Sequence, residues 1–583
     1  MAFVLLFLYG VVRISIMGAS LGSTYEELKK VQASASGGDL SKVAGSLTKA
    51  VNASAAAASA ADDPIVQTWN WIPFLGADFS ALGTVSRDGH KILQASEQVF
   101  AYTNNLRQSG GSATAGTLNP KLVAALRDST VALNDALQTA NSNFAGLDAE
   151  SLHFGLGEKV ATAKTLIGQT AKAMRVATPM VKIGAELVSA KGTQHWFIAT
   201  QNLAEARAQG GIIGAYAIVT VTDGKIKLSR FGSDIELLGM GDINFDSYPQ
   251  ELRELWGVNL ADWRDINASA HSPYGAQLVY DGWKQHTGQS LDGVIFVGQG
   301  TVAHLAAAGG DINVRDNALN EGNIADFLTK GIYAKYPDVQ TKNKVVTEVM
   351  KALFSNLTSK KIDTSAFFAS LAGEKTGDRL VAWSSHKDIQ QRFAQEGVAG
   401  IVSQKWGPNA LVTVNNAGGN KLEAYAHVYT KYTQGKCGAV TFDGYYARES
   451  EIVVRVRNAA PKSGLPAYVT TRLDEDFGLA PRPKGSNREL ISIYGPVGSE
   501  DAGFFVNGQQ YYASAGVDRS HPVWVFDIEL QPGESKAIKV KFLEPIADKN
   551  GELLKGKPTL TPPILLNPAR VIVNAGPVCS LPQ

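Results

Sequence analysis

The chain opens on an apolar run, Met1 to Met17, interrupted only by Arg13. From Thr24 to about Ser189 the apolar positions return at helical spacing. Leu40, Val43, Leu47 and Val51 make one stripe. Leu122, Leu126, Leu133 and Leu137 make a second, and Val160, Ala163, Ile167, Ala171 and Met174 a third. Asn119-Pro120 predicts a helix start, because Asn caps free N–H groups and Pro suits the first turn. Near residue 192 the period changes. Trp196–Thr200 reads as a strand, Asp223-Gly224 as a hairpin turn, and Leu291–Val297 as a strand leading into a helix through Thr301–Ala308. Helices are expected around 324–336, 344–357 and 388–396, so strands and helices alternate as in an α/β domain with a mixed sheet. Beyond Gly438 the pattern has period two, with Ile452, Val454 and Val456, then Ile538, Val540 and Phe542, separated by turns such as Gln531-Pro-Gly-Glu534. That pattern predicts an Ig-like β-sandwich.

The expected organisation is multidomain α+β: a membrane anchor at 1–23, a helical membrane-proximal region at 24–190, a central α/β domain at 191–436 and a β-sandwich at 437–583. A length of 583 residues fits roughly three to four domains. The apolar opening is short of the roughly 20 residues that span a bilayer, and no Lys or Arg precedes it. A missing basic leader accounts for both features, and a signal peptide cleaved near Gly18-Ala-Ser20 is the alternative. Either reading places the bulk of the chain outside the cytoplasm; the uncleaved anchor, which makes the chain a single-pass protein of the cell membrane, is the expected form, because the apolar segment runs on towards a helical pattern. The turn Trp69-Asn-Trp-Ile-Pro-Phe-Leu-Gly76 is expected to plug the end of the helical bundle, with contact to lipid headgroups as the other option.

Composition narrows the function. Lys+Arg 55 against Asp+Glu 54 leaves a net charge of +1, with no basic run to draw the chain to nucleic acid. The two cysteines, Cys437 and Cys579, fit one disulfide formed in an oxidising compartment, against a pair of unrelated thiols. Gly18-Ala-Ser-Leu-Gly22 matches a nucleophile-elbow pattern but has no strand before it. Gly298-Gln-Gly-Thr-Val-Ala303 approximates a dinucleotide fingerprint but reads better as a tight strand-to-helix turn. No zinc motif occurs, and no metal site is expected from the residues.

The densest polar run is Gln201-Asn-Leu-Ala-Glu-Ala-Arg-Ala-Gln-Gly-Gly211. Arg207 offers a planar fork for phosphate or carboxylate, and Gly210 and Gly211 let a ligand approach the backbone. The competing reading is a polar corner in which Glu205 and Arg207 pair structurally. A second cluster, Asp262-Trp-Arg-Asp-Ile-Asn267, places Arg264 and Asp265 on a loop. The ligand-binding candidates are Gln201, Asn202, Arg207, Gly210, Gly211, Arg264 and Lys342; Arg207, Glu205 and Asp265 are the catalytic candidates.

The order from Gln201 to Gly214, then Leu291-Asp-Gly-Val-Ile295, Val414-Asn-Asn-Ala-Gly-Gly-Asn-Lys421 and the Pro532-Gly-Glu-Ser535 turn resembles the domain of unknown function 4012 family. That family is found in envelope proteins of actinobacteria and other Gram-positive-type bacteria, and the likeness runs over nearly the whole chain. A remoter likeness is to the LytR-CpsA-Psr glycopolymer transferases, through 291–314 and 320–357. It implies arginines and aspartates that hold a polyprenyl pyrophosphate and Mg2+, with a sugar phosphate passed to a cell-wall polymer. The paired-arginine loop of that family reads here Tyr336-Pro-Asp-Val-Gln-Thr-Lys-Asn-Lys344, so Lys342 and Lys344 keep charge without bidentate geometry. Two functions follow as expectations: a module that binds, and in the stronger form transfers, a lipid-linked or anionic envelope glycan, or a non-enzymatic surface scaffold.

Overall fold

Small apolar residues at helical spacing let helices approach closely, and the first 190 residues do this. The computed structural model describes residues 2–36, 40–108, 119–189, 191–246, 248–359, 366, 370, 379–441, 443–474 and 482–581. The chain folds as two units. One comprises Met1–Gly192 with Thr222–Lys225 and Thr358–Glu374; the other comprises Thr193–Val221, Ile226–Leu357 and Lys375–Gln583.

The first unit contains α1 (Ala2–Ser36), α2 (Leu40–Ala61), α3 (Pro64–Thr68), α4 (Gly76–Gln108), α5 (Pro120–Ala145) and α6 (Leu156–Ser189). α1 packs on α2, α2 on α4, α4 on α5 and α5 on α6. Ala50, Ala57, Ala60 and Ala61 are fully buried on α2, beside the predicted stripe of Val43, Leu47 and Val51. Asn119 Oδ1 accepts from the Lys121 and Leu122 amides and starts α5 as expected. The apolar opening does not stop at residue 17, because α1 continues to Ser36. Leu6–Ser34 is long and apolar enough to cross a membrane. The aromatic turn differs from expectation. Trp69 packs between Phe7 and Phe79, but Trp71 and Phe74 are each 88% exposed and plug nothing.

In the second unit, a five-stranded mixed sheet has the order β3-β2-β1-β4-β7, with β1 Thr193–Asn202, β2 Ile212–Thr222, β3 Lys225–Ser233, β4 Gly293–Val297 and β7 Leu380–Ser384. The short hairpin β5 (Ile312–Val314) and β6 (Asn317–Leu319) stands apart from it. β1 and β4 run parallel, Trp196 opposite Gly293, and β7 runs antiparallel to β4. Asp223 and Gly224, both at positive φ, turn β2 into β3. β4 is buried along its whole length, as a central strand covered on both faces should be. Phe197, Tyr216 and Trp283 stack within 5.6 Å of one another at the centre of this core. Gly298 is the predicted tight turn into the helix Gln299–Gly309.

Two further sheets complete the unit. The six-stranded sheet orders β13-β12-β16-β10-β9-β18 and the five-stranded sheet β14-β15-β11-β8-β17. Their ranges are β8 Asn409–Asn416, β9 Ala426–Val440, β10 Tyr446–Asn458, β11 Asn487–Tyr494, β12 Glu500–Val506, β13 Gln509–Gln510, β14 Ser514–Asp518, β15 His521–Leu530, β16 Ser535–Pro545, β17 Thr559–Thr561 and β18 Arg570–Asn574. The alternating Ile452, Val454, Val456 and Ile538, Val540, Phe542 share one core with Val412, Ile491 and Trp524. These sheets begin at Asn409, well before the expected boundary at 437, because β8 and β9 already belong to them. Cys437 and Cys579 form a disulfide across 142 residues. β18 lies parallel to β9 and carries the tail to it.

Candidate functional site

The Gln201–Gly211 segment is the end of β1 and the loop that returns to β2. Its tip enters the core of the C-terminal sheets, where Ala206 is fully buried. The Asn416 amide donates to Ala206 O at 3.0 Å, and the Ala208 amide donates to Asn415 Oδ1 at 2.9 Å. The two glycines serve this close packing. A Cβ on Gly211, at φ 114°, would sit 2.4 Å from Asn202 O. Gly210, at φ 108°, faces the Gln201 side chain.

Arg207 is 4% exposed, and protein groups take up its guanidinium. Nε donates to Arg264 O and Asp265 Oδ1, Nη1 to Ala206 O and Asn416 O, and Nη2 to Glu205 Oε1, all between 2.8 and 3.1 Å. Glu205 Oε2 takes Lys421 Nζ. Burial acts to raise the Glu205 carboxyl, but the charges of Lys421 and Arg207 outweigh it and hold it below the usual carboxylate range. For Asp265 the balance is reversed: burial pushes it up against the pull of Arg207. Behind this network the carboxyls of Glu423 and Glu489 are fully buried against each other. Both are pushed up by burial, and Glu489 further by the charge of Glu423. Arg264 turns away and pairs with Asp262.

Gln201, Asn202 and Lys342 converge instead on a cleft beside the end of β1, together with Asp234, Tyr333 and Lys421. The opposite wall is apolar: Leu328, Ile332, Val346 and Met350. The cleft is partly open, with a volume of about 40 Å3. Asn202 Nδ2 donates to Tyr333 Oη at 2.7 Å, and Asn202 Oδ1 accepts from Gln299 Nε2 at 3.0 Å. Lys342 is 7% exposed. Among the described residues its ammonium donates only to Tyr468 Oη, at 3.3 Å, and it lies 5.4 Å from the centre of that ring. No carboxylate among the described residues pairs with it. Burial lowers its pKa, with the charges of Asp234 and Glu205 opposing. Gln201 is fully buried, and neither atom of its amide has a partner among the described residues.

Residues 191–333 match the family described as Protein of unknown function (DUF4012). They form a DUF4012 domain. No curated protein and no solved structure matches the chain. The match takes in Gln201 and Asn202 together with Asp234, Gln299, Leu328, Ile332 and Tyr333 of the cleft, and ends before Lys342, Val346, Met350 and Lys421, which later segments supply. Lys421, Tyr333, Tyr468 and Asp234 were not singled out from sequence. Lys421 had a readable signal: Asn415-Asn-Ala-Gly-Gly-Asn-Lys421 repeats the amide-and-glycine texture of the Gln201 loop that it meets.

Among the described residues, no group of three or more His, Cys, Asp or Glu side chains is placed to hold a metal ion. The oxygens of Glu205 are engaged by Arg207 and Lys421, and Asp265 Oδ1 by Arg207. The donor set therefore does not fit the Mg2+ implied by the transferase likeness.

Proposed function

We propose that this chain is an extracytoplasmic cell-envelope protein held at the membrane by α1, and that the cleft of its DUF4012 domain binds the anionic group of an envelope glycan, lipid-linked or free. The observation that carries this reading is the buried Lys342 ammonium, which has no carboxylate partner among the described residues, in one cleft with the Gln201 amide, which has no partner among them either. Buried charge and buried amide both cost free energy unless a partner arrives, and a phosphoryl or carboxylate oxygen satisfies the two together. The facing apolar wall suits a lipid-linked group. Transfer chemistry has less support, because Glu205 and Asp265 already hold Arg207.

Retention of α1, as opposed to cleavage near Ser20, is supported by its packing. Met17 is buried against Ala57, Ala60 and Ala61, and Arg13 pairs with Asp63 at 3.1 Å. Removing those residues would expose the α2 face. The disulfide fits an oxidising compartment. A second reading is a non-enzymatic scaffold, with the C-terminal sheets as an Ig-like sandwich that presents the chain to a protein partner. The saturation of Arg207, which fastens the DUF4012 domain to those sheets, favours it.

Calorimetric titration of the full chain in nanodiscs with a short polyprenyl pyrophosphate tests the binding reading. The parent should bind, and Lys342→Met and Gln201→Leu should each weaken binding by about 10-fold or more, the scale of a lost hydrogen bond to a charged group. No binding by the parent, or unchanged binding in both variants, leaves the scaffold reading.

A further inference from the structure

The solvent face of the six-stranded sheet carries charge mainly of one sign. The alternation that turns Ile452, Val454 and Val456 into the core turns Val453, Arg455 and Arg457 outward on β10, and on β16 it turns out Lys539 and Lys541. Lys431 on β9 shares this face, because it pairs in register with Val453. Arg570 on β18 shares it through Tyr429, which stands opposite both Arg570 and Arg455. The acidic residues on β10 that face the same way are Glu449 and Glu451. Lys539 reaches Glu451 at 3.8 Å. Among the described residues, Lys431, Arg455, Arg457, Lys541 and Arg570 make no ion pair.

Register fixes the spacing of these charges. Arg455 stands diagonal to Lys431 on one side and to Lys539 on the other, with Arg457 two residues along its own strand. Diagonal neighbours lie about 7–8 Å apart, within the roughly 8 Å over which physiological salt screens a charge, so these cations repel one another. Two ordinary reasons for surface cations do not account for them. Lysines guard the edges of sheets against stray pairing, but β9, β10 and β16 are interior strands. A solvated face needs polarity of either sign, and the chain as a whole is balanced, Lys+Arg 55 against Asp+Glu 54. The excess is local.

The same face is hollowed. Tyr429, Lys431, Glu451, Val453, Arg455 and Lys539 line a trough of about 350 Å3, and the short side chain of Ala537, opposite Arg455, helps to open it. We propose that this trough binds a linear anionic polysaccharide, laid across the strands so that successive carboxylate or phosphate groups meet Lys431, Arg455 and Lys539. Cations on three neighbouring strands suit a polymer better than a lone anion, because the second and third contacts form within one bound chain. Tyr429 and Val453 offer sugar rings an apolar surface between the charges. A bilayer fits less well: a lipid-binding patch sets protruding apolar side chains beside its cations, whereas Val453 and Ile572 are half-buried here. The trough shares no residue with the cleft at Lys342, and its occupancy stands or falls apart from that site.

The test measures binding of a fluorescent galacturonate decamer to the full chain in phosphatidylcholine nanodiscs. The parent should bind the decamer, and galacturonate monomer should bind far more weakly. Affinity should fall about 10-fold as salt rises from about 50 to about 200 mM, as expected for about three neutralised anions. Lys431→Gln and Arg455→Gln should each weaken binding by about 3-fold, and the double variant by about 10-fold. Lys555→Gln with Lys557→Gln removes two exposed cations just before β17 of the other sheet and should bind as the parent does. Urea midpoints check that the variants fold, Arg455→Lys should recover most of the binding, and the salt dependence of the parent reads the same contacts without a substitution. Tyr429→Ala should weaken the decamer but not polyphosphate. No binding by the parent, or a double variant that binds as the control does, overturns the inference. Decamer binding that the double variant keeps and Lys342→Met loses puts the polymer in the cleft and also overturns it. A Tyr429→Ala chain that binds the decamer as the parent does leaves charge alone to be read and overturns the polysaccharide assignment. Attachment to phosphatidylglycerol vesicles that the double variant loses, without decamer binding by the parent, gives the face to anionic lipid and overturns it too.

Discussion

Arg207 and Lys342 are both buried cations of the second unit, and their surroundings are opposite. Arg207 has its guanidinium spread over two carboxylates and three backbone carbonyls. Lys342 has one phenol oxygen and two aromatic rings. The difference separates a charge taken up by protein carboxylates and carbonyls from one that meets a phenol and two rings, the contrast on which the proposed anion site rests. A buried charge with every donor satisfied contributes specificity to the packing, whereas one left short of an anion is a standing cost.

Three measurements sharpen or break this contrast. The largest effect is expected from Arg207→Ala, which leaves buried Glu205 with Lys421 alone and removes the cationic partner of Asp265. Breaking a buried ion pair in this way costs about 3–5 kcal/mol. It should appear as a lower urea midpoint for the second unit, and a loss below about 1 kcal/mol would place Arg207 with ordinary surface residues. Next comes the alkaline limb of stability. Burial lowers the pKa of Lys342 in the folded chain, so between that value and the ordinary 10.5 the unfolded chain binds more protons. Stability therefore gains a contribution as pH rises through this window, and Lys342→Met should remove it. A bound anion should also remove it, by restoring the charged form. Identical alkaline profiles for parent and variant would mean that Lys342 is not desolvated as described. The smallest effect belongs to Arg264→Ala, whose partly exposed pair with Asp262 is worth less than about 1 kcal/mol.

The comparison also marks where sequence reading stops. The Asn119-Pro120 start, the Asp223-Gly224 turn, the alternation in β10 and β16 and the Cys437–Cys579 pairing were legible, because each depends on backbone preferences, on period or on a count of two. The polar run at Gln201 was legible as a place, and Gln201 and Asn202 do line the cleft there. What each charge in it does was not legible. Arg207 has the chemistry of a phosphate fork, but it meets Asp265 and Asn416, 58 and 209 residues further on. Lys421 reaches Glu205 across 216 residues. The aromatic turn failed in the other direction: burial was expected for Trp71 and Phe74 because large rings usually bury, yet the end of the bundle leaves them out.

The chain's own order of apolar and polar residues determined an apolar leading helix, a helical region, a mixed sheet with helices and a set of strand-rich sheets. These follow from local spacing, which the backbone converts directly into helix or strand. Only the tertiary structure decided that Arg207 is taken up by carboxylates and carbonyls of the protein while Lys342 meets a phenol oxygen and two aromatic rings. That outcome depends on partners brought together from hundreds of residues apart, and no local pattern encodes it.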